Sequence, residues 1–431
     1  MSRISLIFAV FCALACMPVD EVREYISSSW DSTVRYNPED SETLLGLPCH
    51  YTVPCPEGTF QEMYYWDTFF TNEGLLKDGR TDLALGNVEN IMYLIQKHGY
   101  MPNGSRIWYL NRSQPPYLAW MVESVFDVTK DKLWLGRAYD AIKKEYSFWT
   151  TGRGTPVGLS AYSSSADDAL AEEFVHTASQ RLRHNFISEC ATREEMLRMG
   201  RHFAAEAESG WDFNPRFLRR CEDFCPVDLN ANLYHYERLM ERFSEILGRG
   251  EEQLWAERAA TRKQLMLKYM KGDDGLFYDY DHVSGQKSPV VSAAVFNLLA
   301  AGVIDKDDAS ALAESALDRL ECQFGLAMCA EEDYGHDYQW SWPYGWAPGI
   351  YMAVRGLDNY GLADGAERLA GKYVKSICRI YERTGTLWEK YNVTDIFENV
   401  DAEYQTPPML GWSAGVFVYL VDYLEKQNMK L

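Results

Sequence analysis

Positive charge is scarce in this chain. Its 42 Lys and Arg face 63 Asp and Glu, giving a formal net charge of −21 at pH 7. With no basic patch to displace counterions from phosphates, nucleic acid is excluded as a partner. The same field disfavours an anionic membrane surface or a highly anionic substrate, while a small neutral ligand stays compatible. Long apolar runs are also missing, so no transmembrane span is expected. The one apolar stretch, Ile4 to Met17 behind a single basic Arg3, is short for a span but fits the h-region of a signal. Ala13-Leu14-Ala15-Cys16 faintly resembles a lipoprotein cleavage site. Residues 1–20 are therefore expected to be a leader or a disordered N-terminus, and cytoplasmic and exported locations both stay open. The ten cysteines lack metal or disulfide spacing: Cys221 and Cys225 stand four apart with no second pair and no His beside them. Buried thiols are expected, with no metal and no cofactor.

Low-complexity linkers and strand-like alternation are scarce as well. The first absence makes residues 21–431 a single domain, and the second makes it predominantly helical. Apolar residues recur at helical spacing over Val22–Trp30, Asp82–Lys97, Asp131–Trp149, Asn230–Leu247, Glu251–Met270 and Ala309–Leu320. Leu276–Tyr280 is the best candidate for a strand, in a small hairpin. Thr150 to Asp168, rich in Gly, Ser and Ala, reads as a loop at the rim of a site. Many helices joined by aromatic-acid loops suggest a toroid of paired helices whose loops gather around a pit.

Aromatic side chains are abundant, with 13 Trp and 28 Tyr, and two clusters concentrate them beside acids and amides. One runs Phe60-Gln61-Glu62-Met63-Tyr64-Tyr65-Trp66-Asp67; the other is Tyr338-Gln339-Trp340-Ser341-Trp342-Pro343-Tyr344-Gly345-Trp346-Ala347-Pro348. A neutral sugar needs this combination. Its C–H faces stack on indole, and its hydroxyls need paired donors and acceptors once water is excluded. Hydrolysis of a glycosidic bond then takes two carboxyls, one to protonate the leaving oxygen and one to activate water or attack the sugar. Asp212 in Glu208-Ser209-Gly210-Trp211-Asp212-Phe213 is one candidate, because an apolar shell would keep it protonated. Glu389 in Leu387-Trp388-Glu389-Lys390-Tyr391-Asn392 is the other. Met101-Pro102-Asn103-Gly104-Ser105-Arg106 and Arg112-Ser113-Gln114-Pro115-Pro116 offer amide and guanidinium donors on loops held by Pro and Gly.

These blocks, in this order, resemble the α,α-trehalase family. Pro56 to Thr71 is similar to its first signature and Gln339 to Pro348 to its second. Pro226-Val227-Asp228-Leu229-Asn230 and Glu389-Lys390-Tyr391 match further blocks, and the likeness spans residues 21 to 425. It implies an all-α (α/α)6 barrel and an inverting glycoside hydrolase without a metal. It also implies Asp212 as acid and Glu389 as base, with carboxyls roughly 6.5–9.5 Å apart to admit a water. Phe60, Trp66, Asp67, Asn103, Arg112 and Gln114 would grip the ring being cleaved, beside Gly210. Trp340, Trp342 and Trp346 would form one wall of the pit.

The departures concern specificity. The family's Pro-Gly-Gly-Arg-Phe is here Pro56-Glu57-Gly58-Thr59-Phe60, and its Gln-Trp-Asp is Gln339-Trp340-Ser341. Its Pro-Arg-Pro-Glu-Ser-Tyr block, which helps hold the leaving sugar or the bottom of the pit, is absent. Gly154-Thr155-Pro156-Val157-Gly158-Leu159-Ser160-Ala161-Tyr162 stands in its expected place. The leading expectation is hydrolysis of trehalose or a related α-glucoside. A hydrolase redirected to another oligosaccharide and a non-catalytic sugar-binding descendant remain the alternatives.

Overall fold

The computed structural model describes residues 18–397, 403–408 and 411–429. The expected leader, apart from Pro18 to Asp20, lies outside the described residues. Helices α1 (Val19–Ser29), α2 (Tyr65–Lys77), α3 (Thr81–His98), α4 (Leu118–Thr129), α5 (Lys132–Ser147), α6 (Asp168–Arg181) and α7 (Arg193–Ser209) occupy the first half. The second half holds α8 (Val227–Leu247), α9 (Glu252–Tyr269), α10 (Val295–Ala300), α11 (Lys306–Leu320), α12 (Ala347–Asn359), α13 (Ala363–Thr384) and α14 (Gly411–Met429).

Burial sorts these helices into two layers. Inner helix α8 buries 14 of its 21 residues, on more than one face. Its outer partner α9 buries only Trp255, Ala259, Arg262 and Met266, a single stripe at spacings of four, three and four. The inner helices close a ring: α2 packs on α4, α4 on α8, α8 on α10, α10 on α12, α12 on α14, and α14 back on α2. Outside it, α3, α5, α9, α11 and α13 lie against inner helices, and α1 packs on α13. This is an (α/α)6 barrel. The seam that closes it depends on glycine, since a Cβ on Gly415 would lie 2.2 Å from the Phe70 carbonyl oxygen.

The hairpin of α6 and α7 is additional to the ring. It carries its own small core of Val175, Ala178, Leu182, Phe186, Phe203, Phe213 and Tyr338. Asp167 and Thr192 start its two helices by accepting from the backbone N–H groups of Leu170 and Glu195. Strands are few and short. The expected hairpin exists but begins later in the chain: Tyr280–Asp281 pairs with Gln286–Lys287 and with Phe224–Cys225. The displacement has a local cause, because Lys271 already bridges Phe277 across the Gly272–Gly275 turn. Tyr344–Trp346 pairs antiparallel with Lys390–Asn392, placing Trp346 opposite Lys390. That two-stranded ribbon joins the second aromatic cluster to the Glu389 segment. No helix among the described residues is long and apolar enough to cross a membrane.

Candidate active site

The N-terminal ends of inner helices α2, α12 and α14 surround a cavity of about 180 Å³. Trp66 and Asp67 reach it from the first turn of α2, Trp346 from the residue before α12, and Trp412 from the first turn of α14. Such ends carry unpaired N–H groups and partial positive charge, which suits a site built around carboxylates.

Backbone hydrogen bonds stitch the distant sequence blocks together before any side chain is considered. The Tyr65 N–H donates to the Asn103 carbonyl (3.1 Å), and the Asn103 N–H donates to the Arg112 carbonyl (2.9 Å). The Asn103 amide spans Ser113 and Ala207, donating to both carbonyls at 3.2 Å. Gln114 Oε1 accepts from the Trp66 N–H at 3.1 Å. Glu208, fully buried, accepts from the Ser113 N–H (2.8 Å), the Ser163 N–H (2.7 Å) and twice from Arg153 (2.8 Å). It therefore anchors the segment that carries Asp212 to two other loops. Gly210 ends α7 at φ +74°, and a Cβ there would meet the Trp66 ring at 2.7 Å, so only glycine lets that indole lie flat against the turn.

Tryptophans form the floor. Trp340 stacks on Trp346 with centroids 3.9 Å apart and an 8° tilt, and on Trp211 at 5.3 Å. Trp66 and Trp412 meet this stack from the side. Behind it, buried Arg216 lies over Trp211 and is paired to Asp228 (2.6 Å) and Asp279 (2.8 Å). Asp228 thus acts as scaffold, which accounts for its block without a contact to sugar.

The two candidate carboxyls stand in different surroundings. Glu389 is almost wholly enclosed, and that burial raises its pKa. Lys390 Nζ at 3.4 Å and the Tyr404 hydroxyl at 2.8 and 2.7 Å from its two oxygens pull the other way. Asp67 shares the cavity, and its enclosure followed by the Glu389 charge pushes it up to about 8. Asp212 lacks the expected apolar shell. Its side chain is 30% exposed, and Arg181 Nη1 donates to its Oδ2 at 2.7 Å. Arg112 is a half-buried cation with no carboxylate at bonding distance among the described residues; its buried Nε has no partner, and desolvation lowers its pKa.

Of the residues singled out in the sequence, Phe60, Trp66, Asp67, Asn103, Arg112 and Gln114 line this cavity. So do Gly210, Asp212, Trp340 and Glu389. Trp342 does not; it packs partly buried against the core, because the chain turns at Pro343 and presents Trp346 instead. Thr59 is exposed and Ser341 buried, and neither lines the cavity. The Gly154–Tyr162 segment is also elsewhere: Gly154 bridges Ser160 in a tight turn that borders a separate cleft beside Glu237 and Arg262. Sequence reasoning missed Arg181, Tyr109, Tyr404 and Trp412 on the lining, and Glu403 behind it. The pair Glu403-Tyr404 carries no periodic signal, and Arg181 sits at the end of an ordinary amphipathic helix.

Comparison with known proteins agrees with this geometry. The Trehalase family model matches residues 16–425. Neutral trehalase Nth1 from Saccharomyces cerevisiae is 28% identical, with a TM-score of 0.74 over 93% of this chain and 80% of that one. A GH63 mannosylglycerate hydrolase from Thermus thermophilus, solved in complex with glucose, shares the fold at 15% identity, with a TM-score of 0.64 over 93% of this chain and 100% of that one. The barrel, the cavity at its helix ends and the ordered sequence blocks converge on one conclusion: the chain belongs to the trehalase family and is a glycoside hydrolase.

Proposed function

We propose that this hydrolase cleaves α-glucosidic bonds with inversion, trehalose first among them, using Asp212 as general acid and Glu389 as general base. The observation that carries the reading is the single cavity on which both carboxyls meet Asp67, Arg112, Gln114 and the indoles of Trp66 and Trp340. In the step proposed, protonated Asp212 gives its proton to the leaving oxygen as the bond from that oxygen to C1 breaks. Water bonds to C1 from the opposite face and passes a proton to ionised Glu389. The products are one β-configured glucose and the released sugar. The two carboxyls end with exchanged protonation states and reset through solvent.

Recognition in this reading follows the chemistry of a neutral saccharide. Trp66, Trp340 and Phe60 cover the ring's C–H faces, and Asp67, Arg112 and Gln114 meet its hydroxyls. Arg112 supports this directly, since its buried, unpartnered Nε–H gains a charge-assisted hydrogen bond by donating to a bound hydroxyl. Proton NMR of the purified protein with trehalose tests the proposal. Equal amounts of α- and β-glucose at early times are expected, one anomer from each half. Asp212→Asn should lower turnover roughly 10²–10⁴-fold while sugar binding persists. Two equivalents of α-glucose, or an Asp212→Asn variant with near-normal turnover, would overturn the assignment.

A further inference from the structure

Arg181 closes the α6 helix of the additional hairpin, outside every block that the sequence marks as functional. Its guanidinium nevertheless lines the cavity and is held on all sides. Nη1 donates to Asp212 Oδ2 at 2.7 Å, Nη2 to the Asp212 carbonyl at 2.6 Å, and Nε to Glu403 Oε2 at 2.7 Å. The rings of Phe213 and Tyr404 flank it at 4.8 and 5.5 Å. Glu403 is fully buried, and its other oxygen accepts from the Gln339 N–H at 3.0 Å. Arg181 is therefore clamped from behind by Glu403 and presents a planar fork to Asp212, the more exposed of its two partners.

This contact is at odds with the chemistry asked of Asp212. A general acid must carry a proton when it meets the leaving oxygen, and a guanidinium at hydrogen-bond distance favours the ionised form. We propose that Arg181 is a positioning residue that couples the leaving group to the protonation of Asp212, an inference that rests on the acid role given to Asp212 above. In the free protein Arg181 holds the carboxylate. A leaving group that bears a hydroxyl next to the glycosidic oxygen takes over the Nη1 hydrogen bond. Asp212 then turns to the glycosidic oxygen and takes up a solvent proton, while Glu403 keeps the cation compensated. The favoured leaving groups are sugars or polyols, since a leaving group without hydroxyls cannot make the exchange. The role falls to a residue on the additional hairpin in a chain whose first cluster carries Thr59, exposed and away from the cavity.

The groups facing Asp212 from other elements are Asp67 on α2, Arg112 on its loop, Glu206 on α7, and Glu403 and Tyr404 before α14. Among the described residues only Arg181 lies within ion-pair distance of it. The experiment compares trehalose with α-glucosyl fluoride, whose leaving group needs no proton and offers no hydroxyl. For Arg181→Gln, kcat/KM on trehalose should fall roughly 10- to 100-fold, while fluoride hydrolysis stays within about threefold. Arg181→Lys, which keeps the charge without the fork, should recover only part of the trehalose rate. Fluoride hydrolysis also reports that each variant is folded. Equal losses on both substrates would overturn the proposal. Asp212→Asn separates the two readings. It should lose trehalose and keep the fluoride; if it keeps trehalose, the acid assignment falls and takes the Arg181 role with it. If only Arg181→Gln departs from expectation, the Arg181 role alone falls.

Discussion

Replacing Tyr404 by Phe removes one hydroxyl and leaves the ring that flanks Arg181, so it tests how the base is tuned. The hydroxyl shares its proton between both Glu389 oxygens, at 2.8 and 2.7 Å. A carboxylate offers about four lone-pair sites, so this shared bond still leaves room for a water to be activated. The bond favours the ionised form of Glu389, against burial, which favours the neutral one. Without it, the nearest side-chain donor left to Glu389 among the described residues is Lys390 Nζ, at 3.4 Å. Its pKa must then rise, and the base is protonated over more of the acid range. The acid limb of kcat/KM for trehalose should move to higher pH. Because Asp67 and Glu389 interact, that limb belongs to the pair and not to one residue. A hydrogen bond to a charged group contributes about 1.5–3 kcal/mol. At roughly 1.4 kcal/mol per decade, the loss below the optimum is about 10- to 100-fold. At pH values well above the limb the loss should be much smaller. An acid limb that stays in place, or moves to lower pH, would refute both the tuning argument and the choice of Glu389 as base.

Three further outcomes are expected. Arg112→Lys should raise KM for trehalose more than it lowers kcat, since a point charge cannot replace a fork that meets ring hydroxyls; about 10-fold in kcat/KM is expected, and an unchanged KM would place Arg112 outside the sugar contact. Thr59→Arg should change trehalose turnover by no more than a few-fold, because Thr59 is exposed and off the cavity; a large gain in kcat/KM would show that the Phe60 turn swings inward with substrate. Gly415→Ala should destabilise the barrel by about 1–3 kcal/mol or more, since its Cβ would strike the Phe70 carbonyl at the α14–α2 seam; a thermal melt with an unchanged midpoint would sink that account.

Much of the scaffold is legible in the sequence because the barrel repeats one physical rule. Outer helices bury a single stripe, as Trp255, Ala259, Arg262 and Met266 do, and such stripes read directly as 3.6-residue periodicity. Inner helices are harder to read. In α2 nearly every residue from Tyr65 to Leu75 is buried, so no polar face marks the period and the segment reads as a motif before it reads as a helix. The site divides in the same way. Trp66, Asp67, Arg112 and Gln114 announce themselves because sugar chemistry demands aromatic rings beside donors and acceptors. Arg181, Glu403 and Tyr404 do not, since Arg181 bonds Asp212, Glu403 bonds Arg181 and Tyr404 bonds Glu389, all of them contacts between distant parts of the chain. Trp342 fails for the opposite reason: its type fits, but the turn at Pro343 aims it at the core.

The additional hairpin sharpens what such readings can expect. Glu389 is held by the ring through the Trp346–Lys390 strand pairing, whereas Asp212 follows α7 of the additional hairpin and is anchored through Glu208 to the Ser113 and Ser163 loops. Arg181 is held by a hairpin whose small core of Val175, Phe186, Phe203 and Phe213 lies apart from the main one. Phe213 of that core is next to Asp212, so a substitution there reaches the acid as well as Arg181. The departures of this chain from the family pattern lie off the cavity, since Thr59, Ser341 and the 154–162 turn do not line it. What does lie on the cavity is Arg181 at the end of α6, whose Nη1 donates to Asp212, and the leaving-group preference proposed above is to be sought there.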